Sequence, residues 1–519
     1  MRAKIYQSGR FICEIEGRPG ETLLRGISRA GLFLDAPCGG EGRCGKCKVG
    51  IGPGSQEVLA CQTHISKDME ISLPGLNYTQ HEPLILNSQF PILNSLGVAI
   101  DIGTTTIAAY LIALETGERL AAVSSINPQR TYGADVISRI RHCAENGHKA
   151  LTELIRGHLA ALTMQMCAAA NVGYENIKII SIAANTIMQH LAAGYSPVSM
   201  GKAPFTPVSL FGEETALWEG FPAASGARIY YTPAIAAYIG GDITAGLLAS
   251  GLWDDSQLTT HNSQLSERIN ARLPGLITPH SDGGCALYLD IGTNGEIVLL
   301  KDGIYYCCAA AAGPAFEGAE IEMGMAAVEG AISRIEWDGE TSGLKLTVIG
   351  DVPPVGICGS GLIDVLAVML ETGVLDETGR LDNNSQYTIH SSQLPGLPDI
   401  YITAQDVRKL QLAKAAIAAG IQTLLHHAGI TESGISRLIL AGGFGSYLDK
   451  YSAAAIGLFP ESLLPVTHVL GNTAGEGAAL ALCSEAVRQT MEDIRSRCRY
   501  IELSSSRVFN EQFIEQMTF

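Results

Sequence analysis

The sequence predicts an α/β protein in which a small strand-rich N-terminal domain precedes two related α/β lobes. Three observations predict it. Cysteines 38, 44, 47 and 61 crowd into a segment of short alternating runs and glycines. The tetrapeptide Asp-Ile-Gly-Thr occurs twice, from Asp101 and from Asp290, each time between two apolar strand-like runs. Around the two copies, helical periodicity alternates with short buried-strand runs, the pattern of an α/β layer structure. At 519 residues the chain exceeds what one hydrophobic core usually serves, so two to four domains are expected.

Composition excludes several classes of function. A net charge of -17 argues against non-specific nucleic-acid binding and for a well-dispersed protein. The 58 glycines follow no strict period, which excludes a fibrous chain. The chain has 13 cysteines, and most of those beyond position 61 stand singly among Ala, Leu and Ile, as reduced buried thiols do. The first 24 residues lack a signal-peptide core, and the most apolar later segments are interrupted by Asp, Glu, Arg or His. The expectation is a cytoplasmic protein with no membrane or nucleic-acid partner.

In chain order, residues 1–75 form the small domain. RAKIYQSG and RFICEIEG alternate and meet near Ser8-Gly9-Arg10, a hairpin signal. ETLLRGISRAG has helical spacing with Gly31 as a stop, and DMEISLPG reads as a closing strand. Residues 76–96 read as a linker that lies across a neighbouring surface. Lobe I runs over 97–245, opening with the strand–turn–strand GVAIDIGTTTIAAYLIAL and continuing through helices in ADVISRIRHC and HKALTELIRGHLAALTMQMCAAA to GDITAGLLASGLW. Lobe II runs over 246–519 and repeats the opening in CALYLDIGTNGEIVLLKDG, 189 positions later. That period is too long for a solenoid and indicates a duplicated lobe. Polar stretches at 254–284 and 376–400 read as surface insertions without chemistry.

The cysteine spacing is Cys38-x5-Cys44-x2-Cys47-x13-Cys61. Three close thiols with a distant fourth is the layout of 2Fe-2S ligation, and the glycines at 39, 40, 42 and 45 let the backbone wind closely around bridging sulfides. Zinc more usually takes two C-x2-C pairs, and a dithiol redox pair leaves Cys38 and Cys61 unexplained. Cys13 lies outside the pattern and reads as a core residue. Cys307, Cys308 and Cys358 sit where small buried residues are wanted, so packing is favoured over a second metal site.

DIGTTT and DIGTNGE contain no lysine and are neither a Walker loop nor a dinucleotide fingerprint. An Asp at a strand end can hold Mg2+ through water, while a Gly-Thr turn offers N–H and hydroxyl donors to phosphate oxygens. Two such loops facing across a cleft would surround a polyphosphate.

On these residues the segment from Gly97 to Leu480 resembles the acetate kinase, sugar kinase, heat-shock 70 and actin superfamily, with its ribonuclease-H-like lobes. Asp101, Gly103, Thr104, Thr105 and Thr106 match the first phosphate motif; Asp290, Gly292, Thr293 and Asn294 match the second; Gly442, Gly443 and Phe444 match the adenosine motif. GNTAGEGA at 471–478 takes the place of the second connecting helix, and Gly240, Gly241 and Asp242 that of the first connection. Asp242 would orient an attacking water; a helix N-cap is its alternative. Glu317 is open between a Mg2+–water role and a capping or solvent-facing acid. RCGKC resembles the cluster loop of ferredoxin-fold, β-grasp domains.

More specifically, DIGTTT, ANTIMQHL (184–191), DIGTNGEIVL, AAAGPAFEGAEIEMGM, GICGSGLIDV and LAGGFG together resemble the reductive activators of corrinoid proteins. The family implies an enzyme that hydrolyses ATP with Mg2+, holds a 2Fe-2S cluster on Cys38, Cys44, Cys47 and Cys61, and reduces Co(II) to Co(I) on a corrinoid protein. An upstream low-potential electron donor is implied as a second partner, and a homodimer is a further expectation. Some members carry a small domain between linker and ATPase; here the first phosphate hairpin starts at 97 and leaves no room for it. Ala184 and Gln189 depart from the Gly and His expected there. Two alternatives stand beside this reading: an ATP-coupled activator of another low-potential metalloenzyme such as a dehydratase, and a nucleotide- and redox-sensing module without turnover.

Overall fold

The computed structural model describes residues 1–7, 10–30, 32, 34, 36, 40, 42, 47–52, 56–73, 84–85, 95–253, 284–340, 343–382, 386–389, 399–442 and 448–519. The expected insertion at 254–284 therefore lies, but for Gly284, outside the described residues, as does most of the 76–96 linker.

The N-terminal unit packs one helix on a five-stranded sheet. Strands β1 (Arg2–Gln7) and β2 (Arg10–Glu16) pair antiparallel, and α1 (Leu23–Arg29) follows. Then come β3 (Lys48–Ile51), β4 (Gln56–Leu59) and β5 (Met69–Leu73), in the sheet order β2-β1-β5-β3-β4. The closing strand β5 inserts at the centre, parallel to β1. Its alternate residues Ile71 and Leu73 join Ile5, Ile15, Leu23 and Ile27 in the core, the period-2 and period-3.6 stripes meeting as their spacing requires.

Leu84–Ile85 forms β6, which pairs antiparallel with β9 (Arg119–Ile126), so the described part of the linker is an edge strand. Between them β7 (Leu96–Ile102) and β8 (Thr106–Ala113) make the first phosphate-loop hairpin. Helices α2 (Val136–Asn146) and α3 (Lys149–Ala169), strand β10 (Ile177–Ala184), α4 (Thr186–Ala193), β11 (Glu214–Ala216), β12 (Arg228–Tyr231) and α5 (Gly241–Ala249) complete this half.

The second half opens with β13 (Cys285–Ile291), β14 (Gly295–Lys301) and β15 (Ile304–Ala310). It continues through β16 (Ala331–Asp338), β17 (Gly343–Val348), β18 (Gly356–Ile357), α6 (Gly359–Glu371), β19 (Gln386–Ile389), β20 (Ile400–Thr403) and α7 (Ala404–Ala428). The chain ends with β21 (Ile435–Ala441), α8 (Lys450–Ala455), β22 (Thr467–Gly471), α9 (Thr473–Cys483), α10 (Glu485–Ser496), β23 (Cys498–Tyr500) and α11 (Arg507–Glu515). The polar stretch 376–400 contains the hairpin strand β19, whose Ile389 is buried with Ile400.

The repeated tetrapeptide marks a repeated topology. The two large sheets run β11-β12-β10-β7-β8-β9-β6 and β22-β21-β13-β14-β15-β23. In each, the strand carrying Asp-Ile-Gly-Thr (β7 or β13) has an antiparallel hairpin on one side and parallel strands on the other. Parallel strands buried on both faces need continuous apolar runs, which IKIISIAA in β10 and ISRLILA in β21 supply.

Helices α5 and α9 pack against each other, and one core spans them together with residues of both sheets: Ala99, Ile179, Ile243, Leu247, Tyr288, Ile439, Ala478 and Leu482. Glycine makes this crossing close. A Cβ on Gly477 would stand 2.2 Å from the Ala245 carbonyl oxygen, and one on Gly246 would stand 2.0 Å from the Tyr288 hydroxyl. Among the described residues no helix is long and apolar enough to cross a membrane.

Candidate functional site: cluster loop and two-loop cleft

Two of the four expected cluster cysteines are described, and both are buried: Cys47 is 1% exposed and Cys61 6%. Cys38 and Cys44 lie outside the described residues. The β3–β4 hairpin explains why the other two sit close, since Lys48 pairs with Leu59 and the Cys47 carbonyl accepts from the Ala60 N–H at 2.8 Å. Gly40 (φ +92°) and Gly42 (φ +77°) hold left-handed conformations that glycine alone adopts cheaply. A Cβ on Gly40 would stand 3.7 Å from the Cys61 Cβ, so the backbone at Gly40 passes beside the Cys61 side chain. Buried soft thiols wrapped by glycine backbone fit an iron–sulfur cluster. Cys13 packs against the edge of the domain core, away from these thiols. Cys307, Cys308 and Cys358 are core residues, each at most 1% exposed.

The two Asp-Ile-Gly-Thr loops meet face to face. β7 ends at Asp101-Ile102 and β8 begins at Thr106; β13 ends at Asp290-Ile291 and β14 begins at Gly295. The Thr105 and Thr293 hydroxyls lie 3.4 Å apart although 188 positions separate them in sequence. Both donate to Glu317 Oε2, Thr293 at 2.6 Å.

Each loop is held from behind. The Asn127 amide donates to the Gly103 carbonyl at 2.8 Å, and the Asn185 amide to Thr104 Oγ1 at 3.0 Å. Asn185 is also the N-cap of α4, accepting from the Met188 N–H. Arg139, fully buried on α2, donates to the Thr104 and Gly133 carbonyls at 2.5 and 3.0 Å. Burial lowers its guanidinium to about 9. Thr106 is exposed at the start of β8. The Asn294 carbonyl accepts from the Gly292 N–H at 3.1 Å, closing the second turn. Gly442 takes φ +114°, and a Cβ there would stand 2.4 Å from the Ile291 carbonyl oxygen. Gly443 and Phe444 lie outside the described residues.

Carboxylates line the floor. Asp101, Asp242 and Asp290 are half-buried and come from β7, α5 and β13, while Glu296 on β14 is 6% exposed. Burial and then the Asp290 charge push the Asp101 carboxyl up to about 7, against a hydrogen bond with Asn472. Burial pushes Asp290 up to about 6, restrained by the Tyr288 hydroxyl, with Glu317 adding repulsion. Burial, then Asp290 and Asp101, hold Asp242 well above the usual carboxylate range, and burial with Asp242 and Asp290 does the same to Glu296. Burial and the charges of neighbouring acids thus raise all four carboxyls, yet among the described residues no three His, Cys, Asp or Glu side chains are arranged to grip a metal ion directly. Asp242 is not the cap of α5: Gly240 takes that place, and the Asp242 carboxylate accepts from the Ile243 N–H at 2.9 Å within the first turn.

Sequence reasoning singled out the loop residues but passed over Asn127, Arg139, Asn185, Glu296 and Asn472. Asn185 and Asn472 carried a readable signal, since each is an Asn directly before a helix. Arg139 carried none, because an Arg on an amphipathic helix normally faces water.

Three family models match the chain: "2Fe-2S iron-sulfur cluster binding domain" over residues 8–66, "RACo middle region" over 96–255 and "C-terminal domain of RACo the ASKHA domain" over 284–519. The corrinoid activation enzyme RamQ of Eubacterium limosum is 29% identical, across 96% of this chain and 96% of its own. The Co(II) methylated amine-specific corrinoid protein reductase of Methanosarcina barkeri is 25% identical, across 82% of this chain and 77% of its own. A solved structure described as a reductive activator for corrinoid, iron-sulfur protein superposes with a TM-score of 0.71 and 28% identity, covering 100% of this chain and 98% of that one. The fold is thus an N-terminal 2Fe-2S ferredoxin-like domain joined to an ATPase of the sugar kinase, actin and heat-shock 70 type.

Proposed function

Because this chain belongs to the family of reductive activators of corrinoid proteins, iron–sulfur enzymes that hydrolyse ATP, we propose that it returns the cobalt of its partner from Co(II) to Co(I) one electron at a time. The observation that carries the reading is the meeting of Thr105 and Thr293 over a floor of carboxylates, in one chain with a ferredoxin-like domain.

We assign residues 1–75 to the electron-carrying domain, 76–96 to the linker, 97–245 to lobe I and 246–519 to lobe II. Cys38, Cys44, Cys47 and Cys61 hold the 2Fe-2S cluster, which when bound supplies one-electron relay chemistry. Gly103, Thr104, Thr105 and Thr106 with Gly292, Thr293 and Asn294 bind the polyphosphate, and Gly442, Gly443 and Phe444 the adenosine.

A nest of acids repels a polyphosphate unless a cation stands between them, so Asp101 and Asp290 are the residues that would hold Mg2+, which would supply charge neutralisation there. Asp242, at the start of the first connecting helix, orients the attacking water. Closure of the lobes on ATP changes the population of the state that docks the corrinoid protein, because the nucleotide bridges loops that belong to different lobes. The cytoplasm, a low-potential electron donor and a homodimer complete the proposal.

The test is spectroscopic. Anaerobic protein mixed with ATP, a strong reductant and a Co(II) corrinoid protein should produce the Co(I) absorption band only when ATP is present. Reduction at the same rate without ATP, or none with any corrinoid partner, would reject the assignment.

A further inference from the structure

A carboxylate stands where the hydroxyl donors of the two loops converge. Thr105 and Thr293 are the hydroxyl donors at the tips of the two loops, and both donate to the same atom, Glu317 Oε2. The other carboxylate oxygen lies over the second loop: a Cβ on Gly292 would stand 3.6 Å from it. Hydroxyl donors from two facing loops converging on one anionic oxygen is the arrangement a phosphoryl oxygen requires. Glu317 supplies that oxygen from within the chain.

We propose that Glu317 is a latch that the nucleotide displaces: its carboxylate ties the two loops together, and a phosphoryl group of the incoming nucleotide competes for the same two hydroxyls. This inference rests on the assignment of the cleft to ATP. It differs from a Mg2+–water role, in which the carboxylate would assist the nucleotide instead of opposing it. Glu317 acts through the threonines and is a positioning residue.

The backbone around Glu317 carries its displacement elsewhere. Gly313 and Gly318 bracket the turn, each at φ +74°, and Phe316 is fully buried and pins it. A Cβ on Gly318 would stand 2.5 Å from the Met325 carbonyl oxygen, so the turn is stacked on the segment that follows. That segment is tied in two directions. The Glu322 N–H donates to Asp406 in the first turn of α7 at 3.1 Å, and the Met325 N–H donates to the Ile357 carbonyl, next to the start of α6, at 2.9 Å. Release of the carboxylate is therefore felt where two long helices of lobe II begin.

Calorimetric titration of the full chain with a non-hydrolysable ATP analogue, in Mg2+ and separately in EDTA, tests the latch. Removing the competing charge in Glu317→Gln should tighten binding at least about fivefold in both conditions. Amide exchange across 313–325 should rise on adding the analogue to the wild type and be raised already in the unliganded variant. Glu317→Asp, one methylene too short to reach both hydroxyls, should shift affinity in the same direction and serves if the Gln variant does not fold. Unchanged or weaker binding by the variants, including a loss seen only in Mg2+, overturns the latch while leaving the cleft assignment standing. A wild type that binds no nucleotide overturns both.

Discussion

The hydroxyl of Tyr288 lies 2.8 Å from the hydroxyl of Thr473, joining the strand that carries Asp290 to the first residue of α9. Tyr288 is fully buried and also donates to Asp290 Oδ2 at 3.3 Å. Tyr288→Phe leaves the buried Thr473 hydroxyl and the Asp290 carboxylate each short of a partner, which costs about 1–3 kcal/mol. Thr473→Val should cost less in the Tyr288→Phe background than in the wild type. A double-mutant cycle by thermal unfolding measures the coupling, and strict additivity would show that the contact is not made.

Arg139 spends its charge on backbone carbonyls and the neutral Gln129 and Met188 side chains, with no carboxylate in contact among the described residues. Lysine lacks the planar fork that reaches Thr104 and Gly133 together. Arg139→Lys should therefore loosen the first phosphate loop and weaken ATP binding by about tenfold or more, roughly 1.4 kcal/mol. Affinity at the wild-type value would show that the loop needs no support from α2.

Asp364 on α6 is 1% exposed; Oδ2 accepts from the Ile335 N–H at 3.1 Å, and among the described residues Oδ1 has no hydrogen-bond partner, although a hydrogen bond with Ser452 opposes the effect of burial on the carboxyl. Burial pushes its carboxyl up to about 6. An unfolded Asp titrates near ~3.9, so the native state binds this proton more tightly. Its contribution to stability is full below about pH 4 and is lost as pH rises through about 6, a swing of roughly 3 kcal/mol. Asp364→Asn should remove that swing and stabilise the protein at pH 8 by about 1–3 kcal/mol. The difference between wild-type and variant melting temperatures from pH 4 to 8 reads it directly; a constant difference would refute the burial argument.

Two helical glycines should respond oppositely to alanine. Gly157, inside α3, has nothing among the described residues within 4 Å of its Cβ position apart from its own helix backbone, and Gly157→Ala should stabilise by about 0.5–1 kcal/mol through helix propensity. Gly477→Ala gains the same propensity but drives a methyl into the Ala245 backbone, which cannot rotate aside as a side chain can. A net loss of about 2 kcal/mol or more is expected. Parallel melts of the two variants make the comparison.

Cys61→Ser should abolish the visible iron–sulfur absorption while leaving ATP affinity within about twofold, since thiol and cleft belong to separate cores. A variant that keeps its colour would remove Cys61 from the ligand set.

The parts of the fold legible in the sequence were those fixed by local pattern. Asp101 and Asp290 announced themselves because a strand, a Gly-Thr turn and a returning strand are consecutive in the chain. The short partners β4 and β11 gave no such signal: a strand of three or four residues shows too little alternation to identify. The cleft was half legible. Its loops could be named, but that Asp242 and Asp290 would raise the proton affinity of Glu296 depends on tertiary convergence, which no spacing encodes. Asp242 shows the limit well. An acid before an apolar run reads as a cap, and only the backbone reveals that Gly240 has taken that position.

The contact of Gly477 with the Ala245 backbone gives the molecule a gear ratio. Two helices touching backbone to backbone leave no compressible side chain at the crossing, so the packing there resists any change in their spacing. The second phosphate-loop strand rides on this axle through Tyr288, beside Gly246. Displacement about an axle grows with radius. If the two helices rotate on each other at all, the shift is smallest at this crossing and largest far from it.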